Sequence, residues 1–130
     1  TRSETERPND ITYYTLTYDP PLKKDEKLIP ELDKNKTKDN LVQCFLQKEP
    51  ARKLKNFSKT NILILTGEAS YHAPYDHGTS NFLKQAGVKH EFIRLEDHEI
   101  KGNGHMMMHE KNSKKISTFI SNWIEKNYII

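Results

Sequence analysis

The sequence lacks several features that define large classes of proteins. It has one cysteine, Cys44, so no disulfide can form within the chain. No apolar run approaches the ~18 residues that a helix needs to cross a bilayer. There is also no Gly-x-Ser-x-Gly turn, the motif that presents an activated serine at the end of a strand. These absences exclude a disulfide scaffold and predict no membrane span, and they leave the chain without a recognisable nucleophile.

Charge is abundant but balanced. The 130 residues include 21 Lys and Arg against 18 Asp and Glu, which gives a net charge of +3. The lysines are interleaved with acidic residues, whereas nucleic-acid binding needs a concentrated basic stripe, so we expect no nucleic-acid partner. Residues 23–40 are almost all polar, and the apolar residues gather after Asn61. The composition therefore predicts a folded second half with a loosely held first third.

The second half has the pattern of a small α/β unit. Residues 61–66 form an apolar run that predicts a strand buried on both faces. Residues 79–87 predict a helix that is capped by Thr79 or Ser80 and ends at Gly87, and residues 88–95 predict a second strand. Apolar residues at helical spacing then predict a final helix after residue 113: Ile116, Phe119, Ile120, Trp123 and Ile124. This order predicts a right-handed βαβ unit followed by a helix.

The first part of the chain carries weaker signals. Residues 11–18 are rich in β-branched and aromatic residues and end at two prolines, so they predict a short strand or an extended arm. Residues 23–40 show no periodicity and are interpreted as a linker or surface excursion. Residues 41–46 are apolar and predict a short helix or a cap-like segment. We therefore divide the chain into residues 1–53, an irregular cap-like part, and residues 54–130, the βαβα part.

One histidine stands on a glycine-framed loop after the second predicted strand. Gly102 and Gly104 allow the loop to turn sharply, so that the imidazole of His105 can lean over the edge of the sheet. An imidazole can accept and return a proton near neutral pH, which makes His105 the candidate general base. The alternative is a loop histidine that caps the following helix. The glycine frame and the strand-exit position favour the catalytic interpretation.

A carboxylate residue lies on the loop that follows the first predicted strand. Glu68 follows Gly67 directly, and loops at the carboxyl ends of parallel strands open on one edge of the sheet. Glu68 is therefore a candidate acid that orients His105, and Asp76 is a more distant one. The alternative, which we favour for a carboxylate at a turn, is that Glu68 accepts hydrogen bonds from backbone N–H groups.

A metal site is the weakest of the chemical hypotheses. His105 and His109 have i, i+4 spacing with Glu110 adjacent, and His72 and His77 flank Asp76. However, there is no His-Glu-x-x-His motif and no cysteine pair, so we expect no metal and no other cofactor. The three methionines at 106–108 are interpreted as apolar packing at the mouth of the site, and Cys44 as packing.

These residues resemble a known family. The stretch 51–124 is similar to the C-terminal part of α/β-hydrolase-fold proteins of the esterase and lipase type, and residues 16–21 are similar to an extension in one branch of it. The motifs that carry the resemblance are the strand and Gly-Glu turn at 62–68, the segment 69–77 and the segment 102–113. The resemblance implies that the two predicted strands are the last two of an eight-stranded sheet, that His105 is the triad histidine, and that residues 19–52 belong to a variable cap region.

The sequence departs from this family in two ways. Many members carry the triad acid as Asp where this chain has Ser70, so Glu68 is the acid that this sequence offers. The strands that carry the nucleophile elbow and the oxyanion hole are missing. We therefore predict the C-terminal portion of a serine-type carboxylic ester hydrolase that is inactive by itself. Its partners would be the missing N-terminal half and, when complete, a small-molecule ester. The alternative is a non-catalytic remnant that self-associates or docks on a partner.

Overall fold

The computed structural model describes residues 16–35 and 38–128. The predicted arm at 11–18 lies mostly outside these residues, and its described end, Leu16 to Tyr18, has no regular secondary structure. The elements in chain order are β1 (Pro30–Leu32), β2 (Phe45–Gln47), β3 (Leu63–Thr66), α1 (Asp76–Gln85), β4 (Glu91–Arg94) and α2 (Ser113–Tyr128), with three short 3-10 helices at Lys55–Phe57, Leu95–His98 and Met107–His109. The chain is thus of mixed α/β content, as predicted.

The predicted strand–helix–strand unit is present. β3 pairs with β4 in parallel, with Leu63 opposite Glu91 and Thr66 opposite Arg94, and α1 forms the crossover between them. Both strands are shorter than predicted, because residues 61–62 and 88–90 lie outside the paired stretch and Leu95 opens a 3-10 helix. Within the described residues β3 pairs with no strand other than β4. One edge of β3 therefore remains open in this part of the chain.

The crossover helix begins earlier than the sequence indicates. α1 starts at Asp76, so neither Thr79 nor Ser80 caps it, and the capping prediction is wrong. Its end matches the prediction, since Gly87 follows the C-cap with a φ of +76°. The N–H of Gly87 donates to Lys84 O at 3.1 Å, and that of Val88 donates to Leu83 O at 2.9 Å. These two bonds form a Schellman motif, which needs the left-handed conformation that glycine adopts easily.

The first part of the chain is more ordered than its composition predicts. β1 and β2 pair antiparallel, with Pro30 opposite Gln47 and Leu32 opposite Phe45. The linker prediction for residues 23–40 therefore missed a strand, and the helix prediction for 41–46 is wrong. The physical reason is that β2 is held by distant residues: its Gln47 N–H donates to Gln85 Oε1 at 2.9 Å, and Gln85 Nε2 donates to Gln47 O at 2.8 Å.

Two groups of buried side chains form the core. The first packs Tyr18 and Leu54 against residues of α1 and the following turn, namely Phe82, Ala86 and Val88. Tyr18 and Leu54 lie on opposite sides of the predicted boundary at residues 53 and 54, so this packing joins the two parts of the chain. Burial raises the pKa of the Tyr18 phenol.

The second group lies under α2. Leu95, Ile100 and Ile116 are buried, and Phe119 and Ile120 pack partly against them. The predicted apolar stripe thus reaches the core at its first three positions, whereas Ile124, further along the helix, is 47% exposed. Within the described residues no helix, α2 included, has both the length and the apolar character to cross a membrane.

Candidate active site

His105 lies on the loop that leaves β4, as predicted. β4 ends at Arg94, the 3-10 helix Leu95–His98 follows, and the buried side chain of Ile100 anchors the chain before the loop turns. Gly102 makes that turn with a φ of +76°, a conformation that a side chain would strain. His105 itself is exposed. The fold therefore presents this imidazole to the outside of the described part of the chain.

The loop after β3 holds the His105 loop from one side. Glu68 Oε2 accepts a hydrogen bond from the N–H of Gly102 at 2.8 Å, and Ala69 N–H donates to the carbonyl of Asn103 at 2.9 Å. The approach is close, because a Cβ added at Gly67 would collide with that same Asn103 carbonyl. The two loops therefore meet at one edge of the sheet, as the sequence predicts for the carboxyl ends of parallel strands.

A buried amide holds the loop from the other side. The Asn103 side chain is 1% exposed; its Nδ2 donates to Glu110 Oε2 and, at 2.7 Å, to Asn112 Oδ1. Asn112 Nδ2 returns a bond to Asn103 Oδ1 at 2.9 Å, and Gly104 N–H donates to Glu110 Oε1 at 2.8 Å. The two residues that precede His105 are thus tied to residues just before α2. This network was not predicted from the sequence, although Asn103 lies between the two glycines that frame the loop.

Two aromatic side chains contact the His105 ring. His72 stacks on it almost in parallel, with ring centroids 4.4 Å apart and planes 11° apart. Tyr71 is tilted by 58° at 4.7 Å. Both lie on the turn that connects β3 to α1, so the loop after β3 contributes ring contacts as well as backbone contacts. This stacking limits the rotation of the imidazole.

His72 is in turn bonded to a carboxylate. Its Nδ1 lies 3.0 Å from Asp76 Oδ1, and the other oxygen of Asp76 accepts the hydroxyl of Thr66 at 2.5 Å. Thr66 is the last residue of β3 and is 1% exposed. Hydrogen bonds therefore connect Thr66, Asp76 and His72, and the ring of His72 stacks on the ring of His105. His72 and Thr66 were not predicted as site residues; the spacing of His72 and Asp76 was considered only for a metal.

The two predicted catalytic residues lie on adjoining loops. Glu68 contacts the backbone of Gly102, three residues before His105, and this bond is of the backbone type that the alternative interpretation of Glu68 describes. Asp76, the more distant predicted acid, bonds to the ring of His72. The role of each as an acid remains a prediction.

The metal hypothesis finds no geometric support. Within residues 16–35 and 38–128 no group of three or more His, Cys, Asp or Glu side chains is placed to hold a metal ion. His105 precedes the 3-10 helix that contains His109, so the two do not share a face of one helix. His77 points elsewhere, with its Nε2 3.7 Å from Cys44 Sγ.

The methionines divide between packing and exposure. Met107 packs against the core group of Leu95, Ile100 and Ile116. Its neighbours Met106 and Met108 are 55% and 59% exposed, and Tyr71 is 56% exposed. Exposed methionine and tyrosine side chains therefore lie on the same two loops as the exposed His105. The prediction of packing is right for Met107 and wrong for Met106 and Met108.

Cys44 and His77 form a buried pair between the first part of the chain and α1. Both are less than a tenth exposed, and Gly78 follows His77 against the thiol. Burial raises the pKa of the Cys44 thiol above its ordinary 9.0 and lowers the pKa of His77 below its ordinary 6.5. Both side chains are therefore uncharged near neutral pH. An uncharged thiol is a poor nucleophile, which agrees with the prediction that Cys44 serves in packing.

Comparison with known proteins gives one informative relative. The chain is 42% identical over 125 residues to the probable secreted lipase phiG of a fungal species (strain ATCC 74256). The match covers 92% of this chain but 33% of the relative, so the chain spans about a third of the length of the curated protein it matches. No family model matches the chain, and no solved structure matches it significantly. The chain is thus similar over most of its length to a part of a lipase-named protein.

Proposed function

We propose that this chain is the C-terminal portion of a serine-type carboxylic ester hydrolase of the α/β-hydrolase fold. The observation that carries the proposal is the placement of His105, an exposed imidazole on a loop that is fixed from both sides at the exit of β4. The lipase-named relative, which is three times as long as the match, supplies the substrate class. In this proposal β3 and β4 are the last two strands of a larger parallel sheet.

His105 acts first as general base and then as general acid. It takes the proton of a serine hydroxyl as that oxygen attacks the ester carbonyl, and it returns the proton to the departing alkoxide. In the second half of the reaction it activates water in the same way. The serine and the oxyanion donors belong to the part of the hydrolase that this sequence does not contain. The open edge of β3 in the described residues offers a strand of the missing part a partner for backbone hydrogen bonds.

Glu68 is proposed as the orienting acid. Its carboxylate accepts the N–H of Gly102 on the loop that carries His105, and in this proposal its negative charge orients the imidazole. The variant Glu68→Gln keeps an oxygen for the Gly102 N–H but removes the charge. A role as triad acid predicts that kcat falls by about 10²-fold or more. Unchanged kcat would confine Glu68 to holding the loop.

A chimera tests the proposed function. This chain replaces the matched third of the relative, and the rate of p-nitrophenyl butyrate hydrolysis is measured before and after His105→Ala. We expect kcat to fall by about 10²- to 10⁴-fold, which is the usual contribution of a general base. The matched control is His109→Ala, an exposed histidine four residues later, which leaves the rate unchanged. An unchanged rate of hydrolysis in His105→Ala would contradict the role of His105 as general base.

The second candidate function is an interaction module without catalysis. The side chains of β3 before Thr66 and of β4 after Glu91 are half-buried, not buried, within the described residues. Such a sheet can be covered by self-association or by a partner. The absence of Gly-x-Ser-x-Gly from the sequence agrees with this function. A mass in solution that shows a stable monomer without bound partner would count against it.

A further inference from the structure

His72 occupies an unusual position between a carboxylate and the candidate base. One edge of its ring, at Nδ1, is 3.0 Å from Asp76 Oδ1, and one face lies on His105 at 4.4 Å and 11°. No ring nitrogen of His105 has a carboxylate partner of its own among the hydrogen bonds of the described residues. The carboxylate nearest to a histidine ring at this site thus bonds to the neighbour of the proposed base.

The surroundings of His72 fix its position. Asp76 is held at both oxygens, because Oδ2 accepts from the buried hydroxyl of Thr66 while Oδ1 bonds to His72. The backbone of the turn is tied as well: His72 N–H donates to Ser70 Oγ at 3.1 Å, and the carbonyl of His72 accepts the N–H groups of Tyr75 and Asp76, each at 3.0 Å. The ring of His72 therefore has a defined plane before anything binds.

We propose that Asp76 and His72 are positioning residues for His105, with Asp76 acting through the His72 ring. This inference rests on the proposed function. The Asp76 carboxylate accepts the Nδ1–H of His72 and so fixes its tautomer and ring plane, as partners of functional histidines commonly do. The flat face of His72 then holds the His105 ring against rotation.

The arrangement also favours the charged intermediate. When His105 takes the serine proton, its ring becomes positive, and the His72 ring stacked on it is hydrogen-bonded at Nδ1 to the carboxylate of Asp76. That negative charge lies on a part-buried side chain, where it is screened less than in water. His72 neither gains nor loses a proton in the cycle. The proton moves between the serine oxygen, His105 and the leaving alkoxide.

The test uses the chain as it exists and needs no substrate. Proton–carbon correlation spectra of the histidine rings are recorded, and the His105 signal is identified by its loss in His105→Gln. We expect Asp76→Asn to move the His105 ring signal although the two side chains are separated by His72. His72→Phe keeps a stacked ring but loses the bond to Asp76, and we expect it to move the same signal. Asp76→Glu, which retains the carboxylate, should restore part of the original shift.

Two controls separate positioning from general stability. Asp33→Asn changes a buried carboxylate elsewhere, which bonds to Asn81 of α1, and His98→Phe changes another histidine in an aromatic contact, with Phe119. Both should leave the His105 signal in place. If Asp76→Asn lowers Tm as Asp33→Asn does but leaves the His105 signal unmoved, the inference is overturned. Should Asp76→Asn fail to fold, Thr66→Ser and Thr66→Val compare the presence and loss of the hydroxyl that holds Asp76.

Turnover in the chimera then links this inference to the reaction. We expect Asp76→Asn to lower kcat for p-nitrophenyl butyrate with little change in KM, because ground-state binding of the ester is not affected. An unmoved His105 signal overturns the inference even where His105→Ala abolishes hydrolysis. A moved signal together with hydrolysis that survives His105→Ala overturns the proposed function instead. The two failures are therefore distinguishable.

Discussion

The side-chain amides of Asn103 and Asn112 form a reciprocal pair, with hydrogen bonds of 2.7 and 2.9 Å between them. Each amide donates one bond to the other and accepts one in return. Asn103 lies two residues before His105, and Asn112 lies one residue before α2. The pair therefore ties the loop that carries the proposed base to the residue before α2.

Asn103→Ala should destabilise the chain and loosen the loop. The change removes the partner of Asn112 and one partner of Glu110, and each buried polar group left unsatisfied costs about 1–3 kcal/mol. The free energy of unfolding, measured with urea, checks this. A double-mutant cycle with Asn112→Ala should give a coupling energy of about 0.5–3 kcal/mol. The matched control is Asn40→Ala at an exposed site, with an expected loss within about 0.5 kcal/mol. Additive losses in the cycle would contradict the reciprocal pair.

Gly67→Ala should be more damaging than Gly102→Ala, although both glycines border the site. A Cβ at Gly67 would collide with the backbone carbonyl of Asn103, which cannot move without shifting the His105 loop, and we expect a cost of about 1–3 kcal/mol. At Gly102 a Cβ meets nothing within 4 Å, so the cost is the left-handed conformation, about 1–2 kcal/mol.

Activity separates the two glycine variants further. In the chimera, Gly67→Ala should lower kcat because it displaces the loop that positions His105. Gly102→Ala should act mainly on stability, provided that its N–H still reaches Glu68. Melting temperatures and p-nitrophenyl butyrate hydrolysis, measured on both variants, provide the comparison. Equal kcat for Gly67→Ala and the unmodified chimera would argue against close loop contact.

The sequence predicted those parts of the fold that depend on local pattern. The apolar run before Thr66, the helix end at Gly87 and the spacing of Ile116, Phe119 and Ile120 are local signals, and each matches the structure. The rule that parallel strands open on one edge also placed Glu68 near the His105 loop correctly. These features follow from periodicity and turn chemistry within a few residues.

The parts that were missed depend on distant contacts. β1 and β2 are three-residue strands without alternation, and they are held by partners such as Gln85 on α1. The stacking of His72 on His105 joins residues 33 positions apart and depends on the shape of the turn after β3. Neither arrangement corresponds to a periodic pattern in the sequence, so neither could be predicted from one sequence.

Asp33 should prove essential to the first part of the chain. Its buried carboxylate accepts bonds from the N–H and Nδ2 of Asn35 at 2.9 and 2.7 Å, and from Asn81 Nδ2 at 2.9 Å. Asp33→Ala leaves the half-buried Asn81 amide without its acceptor, so we expect a loss of about 1–3 kcal/mol in the free energy of unfolding. Asp39→Ala, at an exposed acid in the same part of the chain, should cost within about 0.5 kcal/mol. Equal effects from the two variants would contradict this role.

The stability of the chain should pass through a maximum between the titrations of His77 and Cys44. Burial keeps the folded pKa of His77 below 6.5. As the pH falls below that value, the unfolded chain binds a proton that the folded chain does not, and the free energy of unfolding decreases. Burial keeps the folded pKa of Cys44 above 9.0. As the pH rises past that value, the unfolded thiol loses a proton that the folded thiol keeps, and stability decreases again. Each proton contributes a slope of at most about 1.4 kcal/mol per pH unit.

Variants test which of the two residues causes the decrease in stability on each side of this maximum. Urea midpoints measured from pH 5 to pH 10, a range that spans the ordinary pKa values of 6.5 for histidine and 9.0 for cysteine, give the profile. His77→Phe should flatten the acidic side and leave the alkaline side, whereas Cys44→Ala should do the reverse. His109→Gln, at an exposed histidine, should change neither side. An acidic slope that persists unchanged in His77→Phe would show that carboxylates elsewhere set it. The double variant removes both titrating groups and should flatten both sides together.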